Sequence, residues 1–175
     1  GYYCPIGSSY REYPCPSGTY NDLTNGDAVA DCLICPAGSA CLEATGGTRQ
    51  PKLKCGQGHY CPAGTSHPYT FKCPAGTYSY FTDRETATVG TNPCVQCPAG
   101  FYCEEGSIFP TGMCPKGYYC PAGTTTMYEF PCPAGTYAHI FGLKASTECF
   151  PCDLGNFCPL ASSYPTPCPI GTYRS

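Results

Sequence analysis

Apolar positions along this chain keep neither of the two regular periods for long. No stretch repeats apolar residues every three to four positions over the length a helix needs, so essentially no helix is expected. Short β-prone runs do occur. Residues 77–82 (Thr-Tyr-Ser-Tyr-Phe-Thr) and 86–89 flank a charged stretch and predict a small hairpin. The matching arm at 137–141 ends on Gly142, and the arm after Cys15 carries Asn25-Gly26, a turn signal, so both arms are expected to fold back. Elsewhere Gly and Pro interrupt the chain every few residues, which predicts coil and turns with short two-stranded antiparallel ribbons.

What does recur is a motif. Cys73-Pro74-Ala75-Gly76-Thr77-Tyr78 has near copies beginning at Cys15, Cys132 and Cys168, and a second version closes on another cysteine, as in 97–103 and 114–120. Proline after the cysteine suits the second position of a type I turn and the glycine suits its last, so a chain reversal is expected at each copy. Five residues after the cysteine stands an aromatic ring in nearly every copy, an offset that predicts rings lying over the sulfur pairs. Aligning the copies divides the chain into a partial repeat (1–14), two full cysteine-rich repeats (15–72 and 73–131), a shortened one (132–167) and the start of another (168–175). The shortened repeat lacks the second Cys-x5-Cys step that 55–61 and 114–120 supply.

Composition explains why the pattern is so broken. Fifteen Leu, Ile and Val and eight Phe in 175 residues cannot build an ordinary core, whereas 18 cysteines, an even number, fit a disulfide framework in its place. All 18 are therefore expected to be structural: Cys4, Cys15, Cys32, Cys35, Cys41, Cys55, Cys61, Cys73, Cys94, Cys97, Cys103, Cys114, Cys120, Cys132, Cys149, Cys152, Cys158 and Cys168. Their density requires an oxidising compartment, which places the chain outside the cell, secreted or on its surface. With no initiator methionine and no signal peptide, the chain reads as a segment of something longer. A net charge of −3 with nine basic residues leaves no phosphate-binding stripe, so nucleic acid is not an expected partner, and no apolar run approaches a membrane span.

The order Cys-Pro-x-Gly-Thr-Tyr, a loop, then Cys-x-x-Cys-Pro-x-Gly, met three times, resembles the ephrin-receptor-like cysteine-rich repeat and, more distantly, the tumour-necrosis-factor-receptor module. The resemblance implies an elongated extracellular array of small disulfide-bonded modules, of the kind also found in large surface and fibre glycoproteins of protists and algae. It also suggests one pairing, Cys15 to Cys32, Cys73 to Cys94 and Cys132 to Cys149 across the long arms, with each Cys-x5-Cys step closing locally and Cys4 and Cys168 left to pair elsewhere. Two other schemes stay open: one closes each Cys-x-x-Cys on itself, and one interleaves, as Cys97 to Cys114 with Cys103 to Cys120.

Other chemistry is sparse. Three Cys-x-x-Cys pairs, Cys32/Cys35, Cys94/Cys97 and Cys149/Cys152, lie a whole repeat apart rather than at the spacing of a zinc site, and His59, His67 and His139 occupy no repeated position. No nucleophile, base and carboxylate set stands in a recognisable order, so no catalytic residue, cofactor or metal ligand is assigned and no enzyme is expected. Glu104-Glu105 reads as solvated surface. Thr124, Thr125, Thr126, Ser162 and Ser163, near prolines, are candidate sites for O-linked sugar. The expected function is a structural segment, a stalk or a self-assembling surface filament whose partners are copies of itself, neighbouring repeats and covalent glycans. The alternative is a receptor or adhesin ectodomain with ligand contacts on the long arms.

Overall fold

The computed structural model of the protein describes residues 1–9, 13–47, 51–80, 94–169 and 171. Among these residues there is no α-helix. Regular structure consists of two-residue strands in eight antiparallel pairs and two single 3₁₀ turns, Val29–Asp31 and Ser146–Glu148. The fold is thus one of small disulfide-rich repeats with short ribbons. The chain divides into two compact units, one of Gly1–Cys73 with Ser79–Cys94 and the other of Pro74–Tyr78 with Val95–Ser175.

One rule places every ribbon. The two residues after a motif glycine pair with the two residues before the next motif's first cysteine, as Thr19–Tyr20 with Leu33–Ile34, His59–Tyr60 with Phe71–Lys72, and Thr136–Tyr137 with Phe150–Pro151. Around Tyr118 the ribbon shrinks to a single bridge to Pro131. A pair of two-residue strands is not stable alone, so each ribbon depends on the covalent closure beside it. The rule also corrects the expected arms. Thr77–Tyr78 pairs with Val95–Gln96 rather than within its own arm; the hairpin expected from 77–82 and 86–89 falls mostly on residues outside those described. In the 137–141 run only Tyr137 is strand, and Leu143, just past Gly142, bridges to Tyr119 instead. The arm after Cys15 does fold back, through Leu33–Ile34 and not through a tight turn at Asn25-Gly26.

The turn itself sits one residue later than expected. Its closing bond runs from the residue after the glycine to the proline carbonyl, as Thr19 N to Pro16 O (3.0 Å), Thr77 N to Pro74 O (3.1 Å) and Thr136 N to Pro133 O (3.0 Å). Glycine is therefore the third residue of the turn, and it needs positive φ there, +86° at Gly18, +81° at Gly76 and +85° at Gly135, the requirement of a type II turn. The threonine hydroxyl donates to the same proline carbonyl, at 2.7 Å from Thr19 and 2.6 Å from Thr77, filling its second lone pair. The same turn is used again at the closing cysteine, where Thr65, Thr124 and Ser162 donate to Pro62, Pro121 and Pro159.

Within each unit backbone bonds join motif to motif. The turn glycine donates to the carbonyl of the residue six places after the next motif's first cysteine: Gly18 to Cys41 and Gly38 to Cys61 in the first unit, Gly100 to Cys120, Gly117 to Ala138 and Gly135 to Cys158 in the second. That residue donates onward in turn, Cys41 to Thr65 and Cys103 to Thr124. Being enclosed on both sides, the position is buried at the described copies, whether it holds a half-cystine or, in the long-arm motifs, Asn21, Ser79 or Ala138.

Cystine replaces the oily interior. Among the described residues, twelve of the sixteen buried apolar ones are half-cystines, the others being Ala40, Ala44, Ala138 and Leu143. Leu143, with Ala138 and the Cys132–Cys149 bridge, forms one small cluster against which Tyr119 packs. Rings five places after a motif cysteine pack against a second ring. Their ring contacts run across the ribbon, Tyr60 to Phe71 at 5.6 Å, Tyr119 to Phe130 at 5.7 Å and Tyr137 to Phe150 at 5.8 Å between centroids, so they fasten the two strands together.

Candidate functional site

Sixteen of the expected structural cysteines are bridged. The long arms are closed by Cys15–Cys32, Cys73–Cys94 and Cys132–Cys149, and the short steps by Cys35–Cys41, Cys55–Cys61, Cys97–Cys103, Cys114–Cys120 and Cys152–Cys158. Of the three pairings left open by the sequence, this is the one drawn from the resemblance. Cys4 and Cys168 lie outside any bridge. In each Cys-x-x-Cys the two sulfurs serve different loops, the first ending a long arm and the second opening a short step. Their thiolates are thereby consumed and cannot ligate zinc or exchange as a redox pair. Among the described residues no group of three or more His, Cys, Asp and Glu is placed to hold a metal ion.

The candidate sugar acceptors separate by burial. Thr124 and Ser162 are 2% and 8% exposed, with hydroxyls committed to Pro121 and Pro159, so they are corrected from candidate acceptors to turn residues. Thr125 is half-buried and donates its hydroxyl to Glu129 (2.8 Å). Thr126 is exposed and Ser163 half-buried.

Carboxylates fasten loops rather than gather into a centre. Glu129 accepts from the Thr125 N–H (2.8 Å), the Thr125 hydroxyl and, at 3.4 Å, the Thr126 N–H. The Thr125 backbone bond, with the other two, holds the Glu129 pKa below its ordinary value against a smaller opposing effect of burial. A folded-state pKa below the unfolded one means that the carboxylate stabilises this loop above the ordinary glutamate range, roughly pH 4.3, and that the contribution is lost as pH falls through the folded value. The protection factor of the Thr125 amide, its exchange rate relative to the intrinsic rate at the same pH, is accordingly expected to fall on acidification through that window in the native protein, and to be low and unchanged across it in Glu129→Gln.

Asp22 makes the corresponding tie in the first unit. Its carboxylate meets Lys52 Nζ at 2.7 Å and accepts from Gly47 N at 3.0 Å, while the same ammonium sits 3.7 Å from the Tyr20 ring centroid. The Lys52 bond is the main cause of a lowered Asp22 pKa, followed by the Gly47 bond. Lys52 thus belongs to a specific cross-loop contact. Lys52→Ala is expected to raise the Asp22 pKa toward its ordinary value, followed by carboxyl NMR. The loss in stability should stay under about 1 kcal/mol, since both groups are partly solvated.

Outward, the surface is unusually apolar at ribbon and turn positions. Phe71 and Val95 on second strands are 39% and 50% exposed, and the turn tips Ile6 and Leu154 are fully exposed. At the tip after Cys158, Leu160 is 62% exposed where the matching position of the earlier repeats holds Glu43 or Glu105. Lys116 lies between two further exposed rings, donating to the Tyr164 hydroxyl at 2.6 Å with the Phe141 centroid 5.5 Å away. Chemically such an arrangement offers amphipathic contact area and no reacting group. The missed feature is the buried position six places after a motif cysteine, which at the described copies holds Cys, Asn, Ser or Ala. No protein-family model matches the chain, and no curated protein matches it.

Proposed function

We propose that this chain is a structural segment of an extracellular cysteine-rich repeat protein of the ephrin-receptor-like kind, serving as a stalk or packing side by side with copies of itself in a surface filament. The observation that carries this reading is the regular joining of motif to motif by backbone bonds from turn glycines within each unit, locked by eight disulfides. Modules joined in this way resist proteolysis and transmit load through covalent and main-chain bonds. Exposed rings and aliphatic tips at repeated positions supply area for lateral contact. Eight disulfides fit a secreted or extracellular protein. Among the described residues no helix is long and apolar enough to cross a membrane.

Electron microscopy of the native secreted material tests the proposal. Filaments whose subunit repeat matches this segment are the expected result. Isolated particles that bind one soluble ligand with high affinity through a long arm would replace the structural role by a receptor or adhesin role.

A further inference from the structure

We propose that Tyr118 and Tyr128 form a site of oxidative dityrosine cross-linking, a modification that adds a reductant-proof covalent closure to the second unit. The chain contains 16 tyrosines, two methionines and no tryptophan, and 16 of its 18 cysteines are already oxidised in disulfides. One-electron oxidants that reach this surface therefore act chiefly on phenols. Two phenols must also touch for their radicals to couple within the molecule. Tyr118 and Tyr128 do so, with ring centroids 5.2 Å apart in an edge-on arrangement that presents the ring edge, where the ortho carbons lie, to its neighbour. Tyr118 is held by its bridge to Pro131 and by the turn bond from its N–H to Pro115 O, while Tyr128 is 63% exposed and open to an oxidant. The loop bearing Tyr128 is itself anchored by Glu129 on Thr125.

The reaction balances with hydrogen peroxide and a haem peroxidase as the oxidising system. Each phenol gives up one electron and its hydroxyl proton. The two electrons and two protons reduce one peroxide to two waters. The phenoxyl radicals join through a carbon–carbon bond between ortho positions, and each ring regains aromaticity as its ortho hydrogen moves to oxygen. The product has lost two hydrogens and links the 114–120 step to the loop that follows it.

The chain's own methionines provide the assay. Met113 and Met127 are its only two, so cyanogen bromide cuts between the tyrosines and releases residues 114–127 from 128–175. The folded protein is treated with peroxidase and peroxide at a dose that consumes Tyr128, then reduced, alkylated and cleaved. The expected result is a joined 114–127 and 128–175 product, lighter by two hydrogens and carrying dityrosine fluorescence, from monomeric protein. Tyr128→Phe should lose that product entirely. Tyr69→Phe should keep it, because Tyr69, 60% exposed, has His59 and His67 as ring neighbours instead of another phenol. Release of free 114–127 from wild-type protein whose Tyr128 has been consumed, or survival of the joined product in Tyr128→Phe, would overturn the assignment.

Discussion

Replacing Gly117 with alanine should destabilise the second unit by about 3 kcal/mol, far more than the same change at Gly155. Both glycines hold positive φ, +85° and +78°, so alanine at either position incurs the left-handed penalty of about 1–2 kcal/mol. They differ in what stands above them. A Cβ on Gly117 would lie 2.3 Å from the carbonyl oxygen of Ala161, two motifs further on, whereas a Cβ on Gly155 meets nothing within 4 Å. The obstruction is backbone, which cannot rotate away, so the strand of contacts from Gly117 to Ala138 and from Ala138 to Ser162 must shift. Forced overpacking adds about 1–3 kcal/mol. Thermal unfolding of both variants with disulfides intact measures the difference. Equal losses would mean that the close approach of turn to turn is not what holds successive motifs together.

The same approach recurs at Gly18 over Gly64 in the first unit and at Gly76 over Gly123 in the second, with a Cβ distance of 2.4 Å to the carbonyl oxygen each time. A motif therefore touches both the next motif and the one after it, and the turn glycine is required twice over, once for its φ and once for its missing side chain. This second requirement was not legible in the amino-acid order. Proline and glycine in Cys-Pro-x-Gly announce a turn but are compatible with two registers of it. What decides between them is the bond from the N–H after the glycine to the proline carbonyl, made by Phe101 and Tyr118 as well as by the threonines, and it is seen only once the turn is built. Fold class was legible because it depends on bulk properties: too little aliphatic mass, too many breaks, an even set of cysteines. Connectivity was legible only through the resemblance, because proximity of Cys15 to Cys32 rather than to Cys4 is set by the ribbon between Thr19–Tyr20 and Leu33–Ile34, and the second of these strands carries no distinctive pattern. Pairing of the start of the β-prone run at 77–82 was hidden for a related reason. Its first two residues find their partner just before Cys97, across the whole arm.

Removing bridges of different span separates covalent closure from burial. The double variant Cys132→Ala/Cys149→Ala opens a closure of 17 residues, and Cys152→Ala/Cys158→Ala opens one of six. Chain entropy alone makes the longer closure worth about 3 kcal/mol and the shorter about 2 kcal/mol. The longer bridge also belongs to the only described cluster that contains a large aliphatic side chain, with Ala138 and Leu143 buried against it and Tyr119 at its edge. Deleting both sulfurs there removes packing partners from residues that have few others, so the loss should reach about 4–5 kcal/mol, the upper part of the range for small secreted domains. Chemical denaturation of the two variants, followed by the near-ultraviolet signal of the packed tyrosines, distinguishes the contributions. A difference near 1 kcal/mol would assign the whole effect to loop closure. A larger one would show that the cystine at Cys132 and Cys149 acts as core as well as cross-link, and in a chain whose buried apolar residues are mostly half-cystines that dual role is what lets so little aliphatic mass sustain the fold.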